Sequence, residues 1–350
     1  MPGAQSPGDA LGTEPGPGGV QGLERPLFLP VFEPQNPYIP LSEMQEEFGV
    51  RAIMVNAYFL YRQKEVRRSL PERGLKDHLG FRGLVMTDSG AFQAFRGRLY
   101  LSNPKIIRFQ EDIGADIISP LDVVTPPWDN ITTAEGKLRV TMRRLEEGLA
   151  LVRHATLAGV QQGGRFLALR RRAAGELVKL GVSYVALGSL VPFFTRNHGL
   201  GFAGRVITQA RDVIPDRIPI HLYGAGDPLE LPFYVALGCD VFDSSSFLHY
   251  AEKGAYMTPY GAVPSGEPLD GRMYECPCPY CVQHGPLVRK DVLLLCRHNL
   301  WTLLSTIGKV KLLLREGKLF DHLDEVARVH QRWFPASLLA SSWSGSGEEE

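Results

Sequence analysis

The sequence predicts an α/β protein whose strands close into a (β/α)8 barrel. Three observations point there. Short apolar runs alternate with helix-like stretches along most of the 350 residues, the order of a parallel sheet with helical crossovers. About eight such runs can be counted, the number that closes a barrel of this kind. Most of them end in a polar residue or a glycine, and no glycine-rich dinucleotide fingerprint is present. That absence weakens the alternative, an open doubly wound sheet.

The first run, Leu27–Phe32 (LFLPVF), is the weakest, because Pro30 lies inside it. Residues 52–57 (AIMVNA), 83–88 (GLVMTD), 116–122 (DIISPLD), 159–163 (GVQQG), 183–188 (SYVALG), 218–224 (IPIHLYG) and 239–243 (CDVFD) follow. Between them, residues 133–154 carry Leu138, Met142, Leu145, Leu149 and Val152 at helical spacing, and residues 166–180, 202–213 and 228–237 read as shorter helices.

The run tips are, in order, Asn56, Asp88, Asp122, Gln162-Gly163-Gly164, Gly188-Ser189, Gly224 and Asp243. In a parallel barrel all of these converge on one mouth, where active sites sit. A single Asp at such a tip can simply cap the next helix. Three carboxylates and an amide at one mouth point to chemistry instead. The glycines clear space there and let backbone groups approach a flat ligand.

Composition sets bounds. A hydrophobic content of 44% supports a large core. Charge balances at 38 basic against 38 acidic residues, so any nucleic-acid surface must come from local clustering. No run of eighteen apolar residues occurs and no secretory signal is expected. Residues 1–25, rich in Gly and Pro, are expected to be a disordered tail, and residues 335–350 a flexible acidic one. The catalytic barrel is expected at 26–270. A metal motif with C-terminal helices completing the barrel is expected at 271–334.

That motif is Cys276, Cys278 and Cys281, a C-x-C-x2-C cluster among five cysteines in all. Such crowding argues for metal in a reducing compartment, hence a cytoplasmic protein. A closed tetrahedral zinc site needs a fourth ligand, and His284, Cys296 and His298 are all available. A closed set leaves no open position, so the one zinc per chain would be structural. Downstream, between Arg289 and Lys318, seven basic residues stand against two acidic ones. Arg165, Arg170, Arg171 and Arg172 form a second basic cluster. Either could meet a phosphate backbone or be a solvated helix face.

Several blocks, in this order, resemble the tRNA-guanine transglycosylase family. They are TDSGAFQ (87–93), FQEDIGADIISPLD (109–122), VQQGG (160–164), YVALGSLVP (184–192), HLYGAGDP (221–228) and CDVFDSSSFLHYA (239–251). The C-x-C-x2-C cluster and HNLW (298–301) complete the set. The resemblance spans roughly residues 45–333, and NAYFLY (56–61), FDSSS (242–246) and GKLFDHL (317–323) are closer to the archaeal branch. It implies exchange of a guanine in tRNA for a 7-deazaguanine, with the backbone left intact. In that scheme Asp243 matches the nucleophile that attacks ribose C1′, and Asp88 the general acid/base. Asp122 and Gln162 match the readers of the base edge, Gly163 and Gly188 the backbone contacts, and Phe92 the stacking ring, with Ser89 assisting beside Asp88. Cys276, Cys278, Cys281 and His298 match the zinc ligands.

Two departures refine this expectation. The bacterial branch, which takes an aminomethyl base, has a glutamate soon after its glycine-rich tip. Here Leu190, Val191, Pro192, Phe193 and Phe194 follow, with no acid, which favours the neutral 7-cyano-7-deazaguanine. Archaeal enzymes usually continue into C-terminal RNA-binding domains, whereas the sequence here ends soon after residue 333, so a catalytic domain without them is expected. The resemblance therefore suggests a homodimer, or a heteromer with a separate RNA-binding subunit. The same chemistry on DNA, or a non-catalytic nucleic-acid-binding subunit, are the alternatives. The presence of both Asp88 and Asp243 speaks against the latter.

Overall fold

The computed structural model describes residues 24–97, 101–267 and 274–344. Nine parallel strands lie in it: β1 (Leu27–Phe32), β2 (Ala52–Asn56), β3 (Leu84–Asp88), β4 (Ile117–Ile118), β5 (Thr156–Leu157), β6 (Gly159–Gln161), β7 (Val185–Leu187), β8 (Ile220–Leu222) and β9 (Val241–Ser244). Their order is β5-β4-β3-β2-β1-β9-β8-β7-β6. The two ends of that order are halves of one extended segment. Thr156 and Leu157 pair with β4, Ala158 is the break, and Gly159 to Gln161 pair with β7. The ring is therefore closed by eight runs of chain, as the sequence predicts.

Period-two alternation sorts the strand side chains. Leu27, Leu29, Ala52, Met54, Leu84, Met86, Ile117, Ala158, Tyr184 and Val241 fill the barrel interior as one cluster. Their neighbours Phe28, Ile53, Val55, Val85, Ile118, Val185, Leu187, Ile220, Leu222 and Phe242 face outward and join the larger core under the helices. Pro30 proves compatible with an inner strand. Leu27 to Pro30 pair with β9 and Val31 and Phe32 with β2, so the missing N–H falls where the strand changes partner.

Two expectations need correction. The run at 116–122 keeps only Ile117 and Ile118 in the ladder. Beyond them, side chains replace the sheet: Ser119 N–H donates to Gln110 Oε1 at 3.2 Å and Leu121 N–H to Asn103 Oδ1 at 2.9 Å. The second concerns the C-terminal end, expected to be loose over 335–350. A helix spans Leu339–Ser344 there. Leu339 is fully buried, and the Trp343 ring meets Phe233 edge-on at 5.1 Å. These apolar residues are too few to offset the Ser/Gly/Glu composition on paper, yet they have a docking face. Residues 345–350 and nearly all of the expected N-terminal tail lie outside the described residues.

The 25-residue helix Val292–Glu316 packs along the helix Ser246–Glu252, which directly follows β9. Among the described residues no helix is long and apolar enough to cross a membrane.

Candidate active site

The strand ends bring three acids to one mouth. Asp88 closes β3, Asp243 stands in β9, and Asp122 stands in the loop after β4. Asp88 and Asp122 keep some surface toward the cavity but lie deep among protein atoms, and desolvation dominates both. Burial pushes Asp88 up to about 7. The Gly90 N–H on Oδ1 at 3.2 Å opposes this, while the charges of Asp122 and Asp243 add to it. Burial likewise pushes Asp122 up to about 6, against the Gln162 amide that donates to its Oδ2 at 2.6 Å. Asp88 is not a helix cap. The helix Ala91–Arg96 starts at Gly90 with no side-chain cap. Asn56 does cap, at Phe59 N–H, and also donates to Asp88 Oδ2 at 2.9 Å.

Asp243 has a different environment. Its Oδ1 accepts the Gly224 N–H at 3.1 Å and lies 2.9 Å from His221 Nε2. His221 Nδ1 in turn meets the Tyr184 hydroxyl at 2.8 Å. Oδ2 has no partner among the described residues. One oxygen is therefore anchored and the other left available. Between the acids stands Tyr223, its hydroxyl 3.0 Å from Ser119 Oγ. Burial raises its phenol pKa far above the ordinary value, and the charges of Asp88, Asp122 and Asp243 raise it further.

The remaining expected residues gather around this group. Ser89 and Gln162 are fully buried, yet Ser89 Oγ and Gln162 Oε1 have no hydrogen-bond partner. Orphaned buried oxygens beside three acids suit a polar ligand. Gly188 is required by crowding, because a Cβ there would come within 2.6 Å of Gln162 Nε2. At Gly163, φ is +144° and a Cβ would come within 2.9 Å of the Arg170 backbone nitrogen. Phe92 is 48% exposed on the helix after β3.

Arg170 is fully buried and makes no ion pair with an acid among the described residues. Nε donates to Gly164 O and Nη1 to Gly188 O, each at 2.9 Å. It thereby clamps the loops after β6 and β7 together. A trans peptide held by its carbonyl on one side presents the next N–H on the other. The clamp thus turns the Ser189 and Arg165 N–H groups away from the guanidinium. Burial with no compensating charge lowers the Arg170 pKa to about 9.

Further along the chain, Cys276, Cys278, Cys281 and His298 form a cluster that could hold a metal ion, their ligand atoms all within 4.8 Å of one another. His298 Nδ1 lies 3.5, 3.4 and 3.5 Å from the three sulfurs. A tetrahedral ion with ordinary Zn–S and Zn–N bonds sets that separation at about 3.5 Å. The outer His298 Nε2 is held by Met257 O at 2.8 Å, which orients Nδ1 inward.

The family model described as queuine tRNA-ribosyltransferase matches residues 12–332. The chain belongs to this family. It is 37% identical over 317 residues to the tRNA-guanine(15) transglycosylase of Archaeoglobus fulgidus, covering 88% of this chain and 64% of that protein. Identity to the tRNA-guanine(15) transglycosylase of Methanopyrus kandleri is 35%, covering 89% and 68%. To that of Pyrococcus furiosus it is 33%, covering 90% and 54%. The chain thus spans between about half and two thirds of the length of these relatives.

Against this family background, sequence reasoning missed His221, Tyr184, Tyr223 and Arg170. His221 and Tyr223 lie inside a block that was recognised, at positions of one strand and its tip, but nothing local says that they face Asp243. The basic clusters also change meaning. Arg170 is internal, Arg172 pairs with Glu135 at 2.8 Å, and Arg297 holds Glu43 through two bonds at 2.5 and 2.7 Å. Arg315 pairs with Glu24, and Lys318 with Glu316. Much of the apparent phosphate surface is structural bracing.

Arg170→Lys should lower stability by about 2–4 kcal/mol, since a lysine cannot satisfy both buried carbonyls. An unchanged urea midpoint would show that the clamp is dispensable. The raised acids also fix a pH dependence. Their folded pKa values, about 7 and about 6, exceed the ordinary carboxylate value of 3.8, so folding takes up protons between these limits. Their contribution to stability is greatest below about pH 4, falls as pH rises toward 7, and is flat above. Asp88→Asn should therefore gain on the parent protein as pH rises, by about 2–4 kcal/mol at neutrality. Parallel urea midpoints at acid and neutral pH for the two proteins would show no such divergence if Asp88 were ordinary.

Proposed function

We propose that this protein exchanges a guanine in tRNA for a 7-deazaguanine by double displacement at ribose C1′. The observation that carries this reading is the contrast between two acids at one mouth. Asp243 has one anchored oxygen and one available oxygen, while Asp88 is buried and titrates near neutrality.

In the first displacement Asp243 Oδ2 attacks C1′ from the face opposite the base. The C1′–N9 bond breaks, and Asp88 donates a proton to the departing guanine. The resulting ester keeps Oδ1 as its carbonyl oxygen, beside the Gly224 N–H that polarises it. In the second displacement Asp88 takes a proton from the incoming base, whose nitrogen attacks C1′ and expels Asp243. Two inversions retain configuration. A pKa near 7 suits a group that must give a proton in one half-reaction and take one in the other. The target nucleotide must leave its stack to reach such a mouth.

Asp122 would accept the base's N1–H and exocyclic amine. Gln162, tied to Asp122 through its nitrogen, would offer its unpartnered Oε1 to a donor of the base. The Arg170 clamp holds the Gly163–Gly164 and Gly188–Ser189 loops that would meet the base from the side. The segment from Leu190 to Phe194 offers a 7-substituent no carboxylate, which favours the neutral cyano base. The thiol and imidazole set fits one structural zinc, and reduced thiols with a tRNA substrate favour the cytoplasm.

Asp243→Ala should lose base exchange by at least three orders of magnitude while keeping its fold. Radiolabelled guanine that still enters tRNA in this variant would remove Asp243 from the role. Supplying tRNA and duplex DNA in parallel, each with the cyano and aminomethyl bases, tests the substrate. Incorporation into DNA alone would overturn it. Cys278→Ser should cost about one zinc per chain and lower stability by several kcal/mol. Unchanged metal content by atomic absorption would exclude the site.

A further inference from the structure

Three exposed rings run along the mouth beside the acids. Phe92 and Phe95 lie on the helix Ala91–Arg96 with ring centres 6.5 Å apart, and Trp128, from the loop after β4, lies 6.3 Å beyond Phe95. They are 48%, 42% and 72% exposed. Scattered apolar residues on a surface need no explanation, but a continuous run of large rings marks a binding surface.

The flanks of the run are cationic. On one side Arg62 ends the helix after β2, its guanidinium 5.8 Å from the centre of the Tyr58 ring, and Tyr58 packs against Gly90. On the other side Arg165 follows Gly164, which touches Thr125 and Pro126 in the loop that leads to Trp128. Both arginines are exposed, and among the described residues each contacts an aromatic ring but no acid. Around the rim the sequence is therefore Arg62 after β2, rings after β3 and β4, and Arg165 after β6.

We propose that this arc is the track for the unpaired nucleotides that flank the target guanosine. The assignment rests on the base-exchange reading above. Rings stack on any base, and guanidiniums on either side take the phosphates, which is the combination that holds single strands without reading sequence. The run begins at Phe92, two residues after Gly90 and four after Asp88, so a strand on it would enter the mouth from the side where the base must be extruded. Phe95 and Trp128 would each hold a neighbouring base out of its stack.

The test uses the full chain with a tRNA transcript and separately with a short unstructured oligoribonucleotide. Trp128→Ala should raise the KM for tRNA about tenfold, the loss of one base–ring stack. Phe95→Leu should raise it less, and the KM for free guanine should stay within twofold in both. Titration with the oligoribonucleotide should quench tryptophan fluorescence in the parent and much less in Trp128→Phe. Arg165→Ala should flatten the salt dependence of binding. An unchanged tRNA KM in both ring variants overturns the proposal. So does a loss of self-association in Trp128→Ala with tRNA binding unaffected, since the rings would then serve a second copy of the chain. If no base exchange occurs in any of the proteins, the proposed function fails, whereas the fluorescence titration still decides the track.

Discussion

Ring closure through residues 156–161 is the constraint on which the rest depends. Thr156 and Leu157 bond to one neighbour and Gly159 to Gln161 to another, with only Ala158 between. That one segment joins the two ends of an otherwise open sheet. Because every strand is parallel, closure gathers all the carboxyl-terminal tips at one rim. Asp88, Asp122, Gln162, Gly188, Gly224 and Asp243 are far apart in the chain and share a site for this reason alone. The same closure fills the interior with Leu, Met, Ile and Tyr, so the acids at its mouth rest on an apolar floor. Burial at that mouth raises Asp88 and Asp122.

The three acids share a mouth but not their neighbours. The local donors separate them. Asp243 accepts a backbone N–H on Oδ1 and has the His221 imidazole 2.9 Å away, a ring whose other nitrogen meets a tyrosine hydroxyl. Asp88 has the Asn56 amide and the backbone N–H groups of Gly90 and Ser89, and it faces two other carboxylates. Asp122 is matched to Gln162 at a position where only glycine at 188 leaves room. One type of side chain can thus play three roles at one rim, because each strand supplies a different set of neighbours.

How much of this could be read from the sequence depended on range. Strands declared themselves through apolar runs, and the acids through their place at run tips, since both signals lie within six or seven residues. Even Pro30 was legible as an irregularity, though its tolerance depended on a change of partner that only the ring reveals. His221 and Tyr184 were not legible in their roles. They lie on adjacent strands separated by a helix, and their meeting with Asp243 is fixed by register. Arg170 read as one of a row of surface arginines, because a helical repeat of charge says nothing about which member turns inward. The helix at Leu339–Ser344 was hidden for a related reason. Its few apolar residues matter only because Phe233 and Phe320 are there to receive them.

The Cys276–His298 cluster is tied to the acidic rim by a short physical route. His298 and Asn299 are adjacent on the helix Val292–Glu316. His298 bonds to Met257 O, and Asn299 accepts the Met257 N–H while donating to Phe247 O and Ala255 O. Phe247 belongs to the helix Ser246–Glu252, which begins two residues after β9 ends. The three sulfurs and the imidazole would carry an ion's charge at the far end of this bracing, while Asp243 sits in β9 at the near end. Met257 and Asn299 thus tie the Cys276–His298 cluster to the helix Ser246–Glu252, and through it to the strand that carries Asp243. An ion held by those four residues would brace that helix from outside the mouth, at a distance from the three acids.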